Sequence, residues 1–257
     1  RMKLIIGCPM YKRSWILHHW IKSIISQSIP INDIGFIFEV SPDDTPTIQA
    51  LESWRKFDKR IPYFEIKIRE DIPHFEHSNN GRQWNISKYV NMVSLRNSLL
   101  QTVRDIQPDY YFSLDSDILL TNPNTIELLI AHIKDGADAV SPLMFMTPTN
   151  TMYPSVMNWI KEPGGQAYRK EQYPLGEYFQ SDVIMAAKMM SKDVYNNVDY
   201  KIHPQGEDLG WCDNAKKIGY NLYCASYLYT PHIMGQMMLQ DYLSNKDPRE
   251  NLAYSNS

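Results

Sequence analysis

Short apolar runs alternate with longer amphipathic segments through the first half of the chain. The apolar runs are residues 3–8, 34–40, 63–68 and 110–114. Helical spacing of apolar side chains characterises the segments 15–26, 45–58 and 86–106. Continuously apolar runs that are separated by helices are typical of buried parallel strands. The pattern therefore predicts right-handed βαβ units and an α/β fold with a mostly parallel central sheet flanked by helices.

The second half of the chain is less regular. Its predicted helices are residues 123–134 and 207–217, and its predicted strands are residues 137–141, 181–187 and 222–225. Residues 146–180 are rich in Pro, Gly, Tyr and Thr, and a segment of that length predicts a functional loop rather than an idle connection. No repeat or linker divides the sequence, so we expect one domain over residues 1–257 with a polar tail from about residue 241.

The composition permits a large core and gives no general indication of a nucleic-acid partner. Of the 257 residues, 43% are hydrophobic and 12% are aromatic, which is enough to bury a substantial interior. The net charge is −3 and the pI is about 6.2, so the protein lacks a global basic character. One basic stretch, residues 55–69, predicts a solvated helix face.

The cysteine pattern and the hydropathy bear on location. Cys8, Cys212 and Cys224 are widely spaced and include no Cys-x-x-Cys pair, which argues against a zinc site and a disulfide framework. No apolar run reaches the roughly 18 residues of a membrane span. No signal segment precedes the first predicted strand. These features predict a soluble, cytoplasmic protein with reduced thiols.

Two acidic residues follow the last apolar run of the first half. Asp115 and Asp117 are two positions apart, so in an extended chain their side chains project from the same face. Neighbouring carboxylates repel each other and are difficult to desolvate unless a cation compensates them. Because Mg²⁺ and Mn²⁺ prefer oxygen ligands and bridge to phosphates, the pair predicts a metal–diphosphate site. A strand end followed by a polar turn is the alternative.

Polar or turn-forming residues also follow the first two predicted strands. Pro9 and Tyr11 come after the first strand, and Asp43 and Asp44 come after the second. Ligands of open parallel sheets bind at the carboxyl ends of the strands. We therefore expect these residues to converge with the paired aspartates at one edge of the sheet.

Two further motifs lie in the second half. Gly206 precedes Glu207 and Asp208, which open a predicted helix. The helix dipole stabilises acids at this end, so the pair is either a helix-start feature or a general base held ionised in a cleft. His232 follows the last predicted strand; it is either structural or, with carboxylates, a ligand suited to Mn²⁺.

The order of these motifs is more specific than any one of them. The chain has Pro-x-Tyr after the first strand, a helix with Leu95-Arg96-Asn97, an Asp-x-Asp strand end, a Gly-Glu-Asp helix start and a late histidine. Over about residues 3–234 it resembles the GT-A glycosyltransferases, which transfer a sugar from a nucleotide-diphosphate donor. The resemblance implies a Rossmann-like nucleotide-sugar-binding half of about residues 2–122 and an acceptor-binding half of about residues 123–240.

The resemblance also implies the donor and metal residues. Asp117 would bind Mn²⁺ or Mg²⁺ directly, with His232 as a further ligand. Asp115 would contact the metal, a metal-bound water, or the ribose or sugar of the donor. Tyr11 would stack on the nucleobase. The residues implied in the nucleotide-sugar pocket are Pro9, Tyr11, Asp44, Arg96 and Asp115.

On the acceptor side, the resemblance implies Asp208 as the general base of an inverting transfer, with Glu207 beside it. A positioned carboxylate that takes the acceptor proton contributes about 10²–10⁴-fold to the rate. Retaining enzymes of this fold also carry acids near this place, so retention is the alternative. Asp182, Trp211 and Tyr178 are candidates for contact with the acceptor or the transferred sugar, and otherwise serve as core or loop anchors.

Two rival functions fit the sequence less well. A nucleotidyltransferase would carry a glycine-rich basic loop after the first strand, where this chain has the single glycine Gly7. A nucleotide-sugar-binding protein without transferase activity would be free to lose the four acids that are present here. The acceptor is open among a glycan, a lipid-linked glycan, a protein and a modified base of phage DNA. The Asn-, Ile-, Lys- and Met-rich composition suits an AT-rich bacterial or phage genome.

Overall fold

The computed structural model describes residues 2–72, 85–145, 153–169 and 173–246. Its strands are β1 (Leu4–Met10), β2 (Ile34–Val40), β3 (Phe64–Ile68), β4 (Tyr110–Leu114), β5 (Ala139–Leu143), β6 (Val156–Trp159), β7 (Ala167–Arg169), β8 (Tyr178–Gln180), β9 (Val183–Ile184), β10 (Ala187–Ser191) and β11 (Leu222–Tyr229). Its helices are α1 (Ser14–Ile25), α2 (Thr45–Phe57), α3 (Ile86–Ile106), α4 (Thr125–Lys134), α5 (Lys192–Asn197), α6 (Glu207–Ile218) and α7 (Gln236–Leu243), with a 3₁₀ turn at Ile31–Asp33. The strands and helices predicted for the first half are confirmed with small shifts at their ends.

Among the described residues, eight strands form the central sheet in the order β3-β2-β1-β4-β10-β5-β11-β8. β1 lies between β2 and β4 and is parallel to both, so that Leu4 faces Ile34 on one side and Tyr110 on the other. β8 and β10 run antiparallel to their neighbours. The remaining pairs are parallel, which confirms the predicted sheet and brings the carboxyl ends of β1, β2 and β4 to one edge.

The antiparallel β10 is the main departure from the sequence prediction. The apolar run at residues 181–187 predicts one strand, but the structure divides this region between two sheets. β9 joins a small sheet with the order β7-β6-β9, whereas β10 enters the central sheet between β4 and β5. Ala186 separates them with a φ of 61°, in the left-handed region, and turns the chain from one sheet to the other. Periodicity does not reveal this turn because the residues on both sides are apolar.

The loop predicted over residues 146–180 is partly regular. Residues 146–152 and 170–172 lie outside the described ones, but β6 and β7 between them form an antiparallel pair. The Gln205 side chain fastens β7 to the start of α6, since it accepts from Ala167 N at 2.9 Å and donates to Ala167 O at 2.8 Å.

Two other segments lie partly or wholly outside the described residues. Residues 73–84, a polar segment between β3 and α3, are one of them. α7 occupies the start of the predicted polar tail, and residues 247–257 of that tail also lie outside them.

Apolar side chains from the sheet and its flanking helices form the core. Trp20, Phe36, Phe38 and Trp54 form an aromatic cluster against β2, with the ring centroids of Phe36 and Trp54 4.7 Å apart. Burying one large apolar side chain contributes about 1.5–3 kcal/mol, so the cluster holds α1 and α2 firmly against the strands that lead into the site. The three cysteines, all among the described residues, are buried, and none of them forms a disulfide. In the described ranges, no helix has the length and apolar character needed to cross a bilayer.

Candidate active site

The backbone that carries the paired aspartates is anchored by three other parts of the chain. The Asp115 N–H donates to Ala186 O at 3.0 Å. The Trp20 indole N–H donates to Asp115 O at 3.1 Å, and the Ile233 N–H donates to Asp117 O at 2.7 Å. The acids therefore lie where the end of β4 meets α1, the turn before β10 and the segment that contains His232.

Asp117 is buried between an arginine and a histidine. Arg13 Nη2 donates to Asp117 Oδ2 at 2.8 Å, and Arg13 Nε donates to the Ser116 hydroxyl at 3.1 Å. His232 Nε2 is 3.5 Å from Asp117 Oδ1. Burial acts to raise the pKa of Asp117, but His232 and Arg13 together hold it below its ordinary value. Asp117 is therefore ionised at neutral pH and has positive charge beside it.

Arg96 connects two of the other acids from within α3. It is 1% exposed and donates from Nη2 to Asp115 Oδ1 at 2.8 Å. Its Nη1 donates to the Ser113 hydroxyl at 3.1 Å, and its Nε lies 3.4 Å from Glu207 Oε1. Burial raises the pKa of Asp115 and the guanidinium opposes that shift. The structure thus brings Arg96 and Asp115 together, as expected for residues of one donor site, and adds Glu207 to the same group.

Asp208 forms a buried ion pair with Lys188. Lys188 Nζ donates to Asp208 Oδ1, and the Ala186 N–H donates to Asp208 Oδ2 at 3.1 Å. Burial acts to raise the pKa of Asp208, but Lys188 and Arg96 hold it below its ordinary value. Both carboxylate oxygens therefore face protein donors, which makes Asp208 a weaker proton acceptor than the sequence implies.

Glu207 has the opposite electrostatic environment. Burial raises its pKa to about 7, and the negative charge of Asp208 adds to that shift. Arg96 is its cationic neighbour. The charge of Glu207 in turn helps to raise the pKa of Tyr89, for which burial is the main cause. An acid that titrates near neutrality suits reversible proton transfer at physiological pH.

Asp117 and His232 are the residues that fit a divalent cation. Carboxylate and imidazole both suit Mn²⁺, and such cations often take one or two protein ligands with water and substrate phosphates in the other positions. Asp115 directs Oδ1 at Arg96 and Asp117 directs Oδ2 at Arg13, so the arginine contacts do not distinguish the two aspartates. The proximity of His232 to Asp117 Oδ1 is what points to Asp117 and His232 as the pair of ligands. Within the described residues, no three acidic, histidine or cysteine side chains converge on one point. The donor set fits a cation whose coordination a bound diphosphate would complete.

The residues predicted to contact the nucleoside lie in β1, in the β1–α1 loop and just after β2. The Tyr11 hydroxyl donates to Asp43 Oδ2 at 3.1 Å across these two segments. Asp44 accepts from the Lys12 N–H at 2.5 Å and also caps α2. Pro9 lies within β1 rather than after it. Asp44 therefore joins the two loops, and the contact between Tyr11 and Asp43 lies on their more exposed side.

Two of the acceptor-side candidates have structural roles. Trp211 has no exposed surface, and Lys188 Nζ lies 5.5 Å from the centroid of its ring, so burial removes Trp211 from the acceptor contacts. Asp182 accepts from the Trp159 N–H at 3.0 Å and from Lys216 Nζ at 2.7 Å. These contacts assign Asp182 to the attachment of β6 to α6.

Tyr178, the third acceptor-side candidate, lies far from the paired aspartates. Its ring stacks on His132 with the centroids 3.9 Å apart. His132 is in the last turn of α4, a helix that leads from the carboxyl end of β4 back to the start of β5. β8, which carries Tyr178, is the last strand of the central sheet, and β10, β5 and β11 lie between it and β4. This lateral separation argues against Tyr178 as a contact for a ligand at Asp117.

The sequence analysis missed two cations that the structure brings into the site. Arg13 follows Tyr11 closely in the β1–α1 loop, and its position beside the predicted pocket was the available indication. Lys188 interrupts the apolar run Met185-Ala-Ala-Lys-Met-Met190. A lysine inside an otherwise buried strand requires a negatively charged partner, which is a usable sequence indication.

The comparisons with known sequences point to one family. The model for glycosyltransferase family 25, N-terminal domain, matches residues 6–158. Procollagen galactosyltransferase 1-A of Xenopus laevis is 32% identical over 99 residues, which cover 38% of this chain and 16% of that protein. A glycosyltransferase 25 family member of Aedes aegypti is 22% identical over 130 residues, covering 50% of this chain and 21% of that protein. The matched part of the chain therefore spans only 16–21% of the length of these relatives.

Solved structures share the fold at low sequence identity. The mannosyltransferase PcManGT of Pyrobaculum calidifontis, solved with GDP-Man and Mn²⁺, has a TM-score of 0.60 at 12% identity and covers 92% of this chain and 58% of its own. GalNAc-T7, solved with UDP, GalNAc and Mn²⁺, has a TM-score of 0.61 at 11% identity, over 90% of this chain and 44% of its own. S. aureus TarS has a TM-score of 0.57 at 15% identity, over 90% and 60%. The predicted GT-A fold is confirmed.

Proposed function

Because the chain belongs to glycosyltransferase family 25, we propose that it transfers a sugar from a nucleoside-diphosphate donor to an acceptor hydroxyl with the help of a divalent cation. The observation that carries the proposal is a group of largely buried charges at the carboxyl end of β4. It consists of Asp115, Asp117, Glu207, Asp208, Arg13, Arg96 and Lys188. Burying so many charges is unfavourable unless they are paired, and such clusters are characteristic of functional sites.

The donor is proposed to lie across the carboxyl ends of β1, β2 and β4. Tyr11 and Asp43 would contact the nucleoside, and Arg96 with Asp115 would contact the sugar or ribose. A divalent cation held by Asp117 and His232 would neutralise the charge that develops on the leaving diphosphate. The proposal is supported by the Mn²⁺ and the nucleotides bound to the neighbouring structures, GDP-Man in one and UDP in another.

Glu207 is proposed as the group that accepts the proton of the acceptor hydroxyl. The sequence prediction gave this role to Asp208, whose two oxygens face Lys188 and the Ala186 N–H. The pKa of Glu207, raised by burial to about 7, is better matched to proton transfer near neutral pH. Asp208 would then fix the start of α6, and its negative charge would help to raise the pKa of Glu207. Inversion remains the expected stereochemistry, and the anomeric configuration of the product, read by NMR, tests it.

The acceptor is proposed to approach between β7 and the start of α3. Gln205 holds β7 close to Glu207, and Tyr89 faces the same helix start. Tyr168 of β7 is 47% exposed and offers the acceptor a contact surface. One of the named relatives is a procollagen galactosyltransferase, so a protein hydroxyl and a galactose donor are the first pair to test. In the basic stretch, Arg60 pairs with Asp58 at 2.8 Å and Arg55 lies 3.7 Å from Glu52, so nearby acids offset part of the positive charge that would favour a DNA acceptor.

A thermal-shift experiment tests the donor site. UDP, GDP and their sugars are added with and without MnCl₂, and we expect a Mn²⁺-dependent rise in Tm with one nucleotide, since binding stabilises the native state. Asp117→Ala should lose this rise while keeping a native circular dichroism spectrum. Asp135→Ala, at an exposed position after α4, is the matched control and should keep it. No rise with any nucleotide would contradict the proposal.

A transfer assay separates the enzyme from a binding protein. The nucleotide that raises Tm is supplied as its sugar conjugate together with acceptor peptides, glycans or lipid-linked glycans. The nucleoside diphosphate that is released is then measured. Acceptor-dependent release supports transferase activity. If the donor binds but no nucleoside diphosphate is released, then no sugar has passed to an acceptor or to water. That result would favour a nucleotide-sugar-binding protein instead.

A further inference from the structure

We propose that Arg13 neutralises Asp117 while the donor is absent, and that it transfers its contact to the diphosphate when donor and cation bind together. This inference rests on the proposed function. It adds a donor-binding residue that the sequence motifs do not identify, and it predicts that the cation and the nucleotide bind cooperatively.

The geometry gives Arg13 a position in direct competition with a cation. Its Nη2 lies 2.8 Å from Asp117 Oδ2, on the carboxylate whose other oxygen is 3.5 Å from His232 Nε2. A cation held by Asp117 and His232 would share that carboxylate with the guanidinium. Two positive charges so close together in a buried site repel strongly. The guanidinium must therefore withdraw, or a negative group must enter beside it, before a cation binds well.

A diphosphate is the negative group that fits this requirement. Guanidinium groups present parallel N–H donors that match phosphate oxygens, and charge-assisted contacts of this kind are among the strongest hydrogen bonds in proteins. Arg13 is at the start of α1, whose N-terminal end favours anions as well. The side chain also has a second contact, to the Ser116 hydroxyl at 3.1 Å, which keeps it at the site while its partner changes.

The exchange couples the two ligands. Without a nucleotide, a cation competes with Arg13 for Asp117, so it binds weakly. With a nucleotide, the diphosphate satisfies Arg13 and bridges to the cation. Linkage requires the converse as well, so the cation must raise nucleotide affinity by the same factor.

The test is a Mn²⁺ titration of the full chain, followed by EPR of free Mn²⁺, with and without UDP or whichever nucleotide raises Tm. We expect Arg13→Met to bind Mn²⁺ alone about tenfold more tightly than the wild type, because a charge-assisted contact no longer competes. The same variant should bind the nucleotide about tenfold more weakly in the presence of Mn²⁺, so that most of the cooperativity is lost. In the transfer assay, KM for the donor should rise more than kcat falls.

Two controls separate this role from a loss of folding. Arg60→Met removes an exposed arginine of the surface pair with Asp58 and should match the wild type in both titrations. Arg13→Met should have a lower Tm than the wild type that added Mn²⁺ restores, whereas Arg13→Met/Asp117→Asn should show no Mn²⁺ response.

The outcomes distinguish this inference from the proposed function. Suppose that the wild type binds Mn²⁺ and nucleotide cooperatively and that Arg13→Met binds both ligands as the wild type does. This result overturns the role of Arg13 and leaves the proposed function standing. A wild type that binds neither ligand overturns the function itself. Tight Mn²⁺ binding to the wild type without nucleotide also overturns the proposal that Arg13 competes with the cation for Asp117.

Discussion

At the residue scale, the acids of the site come with cations supplied by the chain. Arg13 faces Asp117, Arg96 faces Asp115 and Lys188 faces Asp208. The repulsion between neighbouring carboxylates, which predicts a metal from the sequence, is therefore already largely balanced. In the proposed mechanism, the cation is needed for the charge on the leaving diphosphate rather than for the stability of the folded site.

The Lys188–Asp208 pair gives a stability prediction. Either Lys188→Met or Asp208→Asn leaves a buried charge without its partner and should lower the free energy of unfolding by about 3–5 kcal/mol. The double variant should lose much less than the sum of the two, because neither charge is then left alone. Urea denaturation of the four proteins measures the coupling.

The matched control for that cycle is the Lys217–Asp213 pair of the same helix, with N and O 2.9 Å apart and the lysine side chain 56% exposed. Its coupling should be about 0.3–0.5 kcal/mol, as for other solvated pairs along a helix. Equal coupling in the two cycles would show that burial does not strengthen the Lys188–Asp208 pair.

Glu207 gives a prediction about pH. A base must be ionised to act, and burial raises the pKa of Glu207 from an ordinary value of 4.5 to about 7, so kcat/KM should rise as pH increases through about 7. Asp208→Asn removes the neighbouring negative charge, which should move this limb to lower pH without abolishing it. Glu207→Gln should lower kcat by about 10²-fold or more and remove the limb.

The opposite pattern in the pH profiles would return the base role to Asp208. In that case Asp208→Asn abolishes the limb and Glu207→Gln retains it. The raised pKa of Glu207 also affects how folding stability depends on pH. Between its ordinary pKa and about 7, the folded protein retains a proton on Glu207 that the unfolded chain has lost, so this residue makes folding less favourable as pH rises across that range.

At the element scale, the apolar runs and helical spacing of the first half predicted the strands and helices there because each is a long, regular segment. The same reasoning failed at β10, since the apolar character of residues 183–191 is almost uniform and the turn at Ala186 has no glycine or proline to mark it. The structured pair of strands β6 and β7 was also missed. Its strands are short, and their order depends on contacts such as Gln205 with Ala167 rather than on local pattern.

The packing of α6 gives a prediction at this scale. A Cβ added at Gly210 would lie 1.9 Å from Lys201 O, and a backbone atom does not give way easily. Gly210→Ala should therefore push α6 outward, lower the free energy of unfolding by about 1–3 kcal/mol and weaken the position of Glu207. Gly235→Ala, where a Cβ meets nothing within 4 Å, is the control. Equal unfolding midpoints for the two variants in urea would contradict the close contact.

At the scale of the whole molecule, the order of motifs was sufficient to predict the GT-A fold, because each motif follows a strand or opens a helix at the same edge of the sheet. The pairing of charges was not predictable in the same way. Arg13 and Asp117 are 104 positions apart, and Arg96 and Glu207 are 111 apart. Only the assembled sheet brings these side chains together, so the sequence indicated the acids and Arg96 but not Arg13 and Lys188, nor which acid each cation faces.

The insertion of β10 between β4 and β5 also has a consequence for biosynthesis. β1 to β4 are complete once residue 114 has left the ribosome, but the neighbour that closes the outer side of β4 is not made until residues 187–191. During that interval, the nascent sheet carries an open strand edge of the kind that recruits other chains. β10 thus joins β1–β4 to β5, β11 and β8, and Lys188 can pair with Asp208 only after residue 208 has been synthesised.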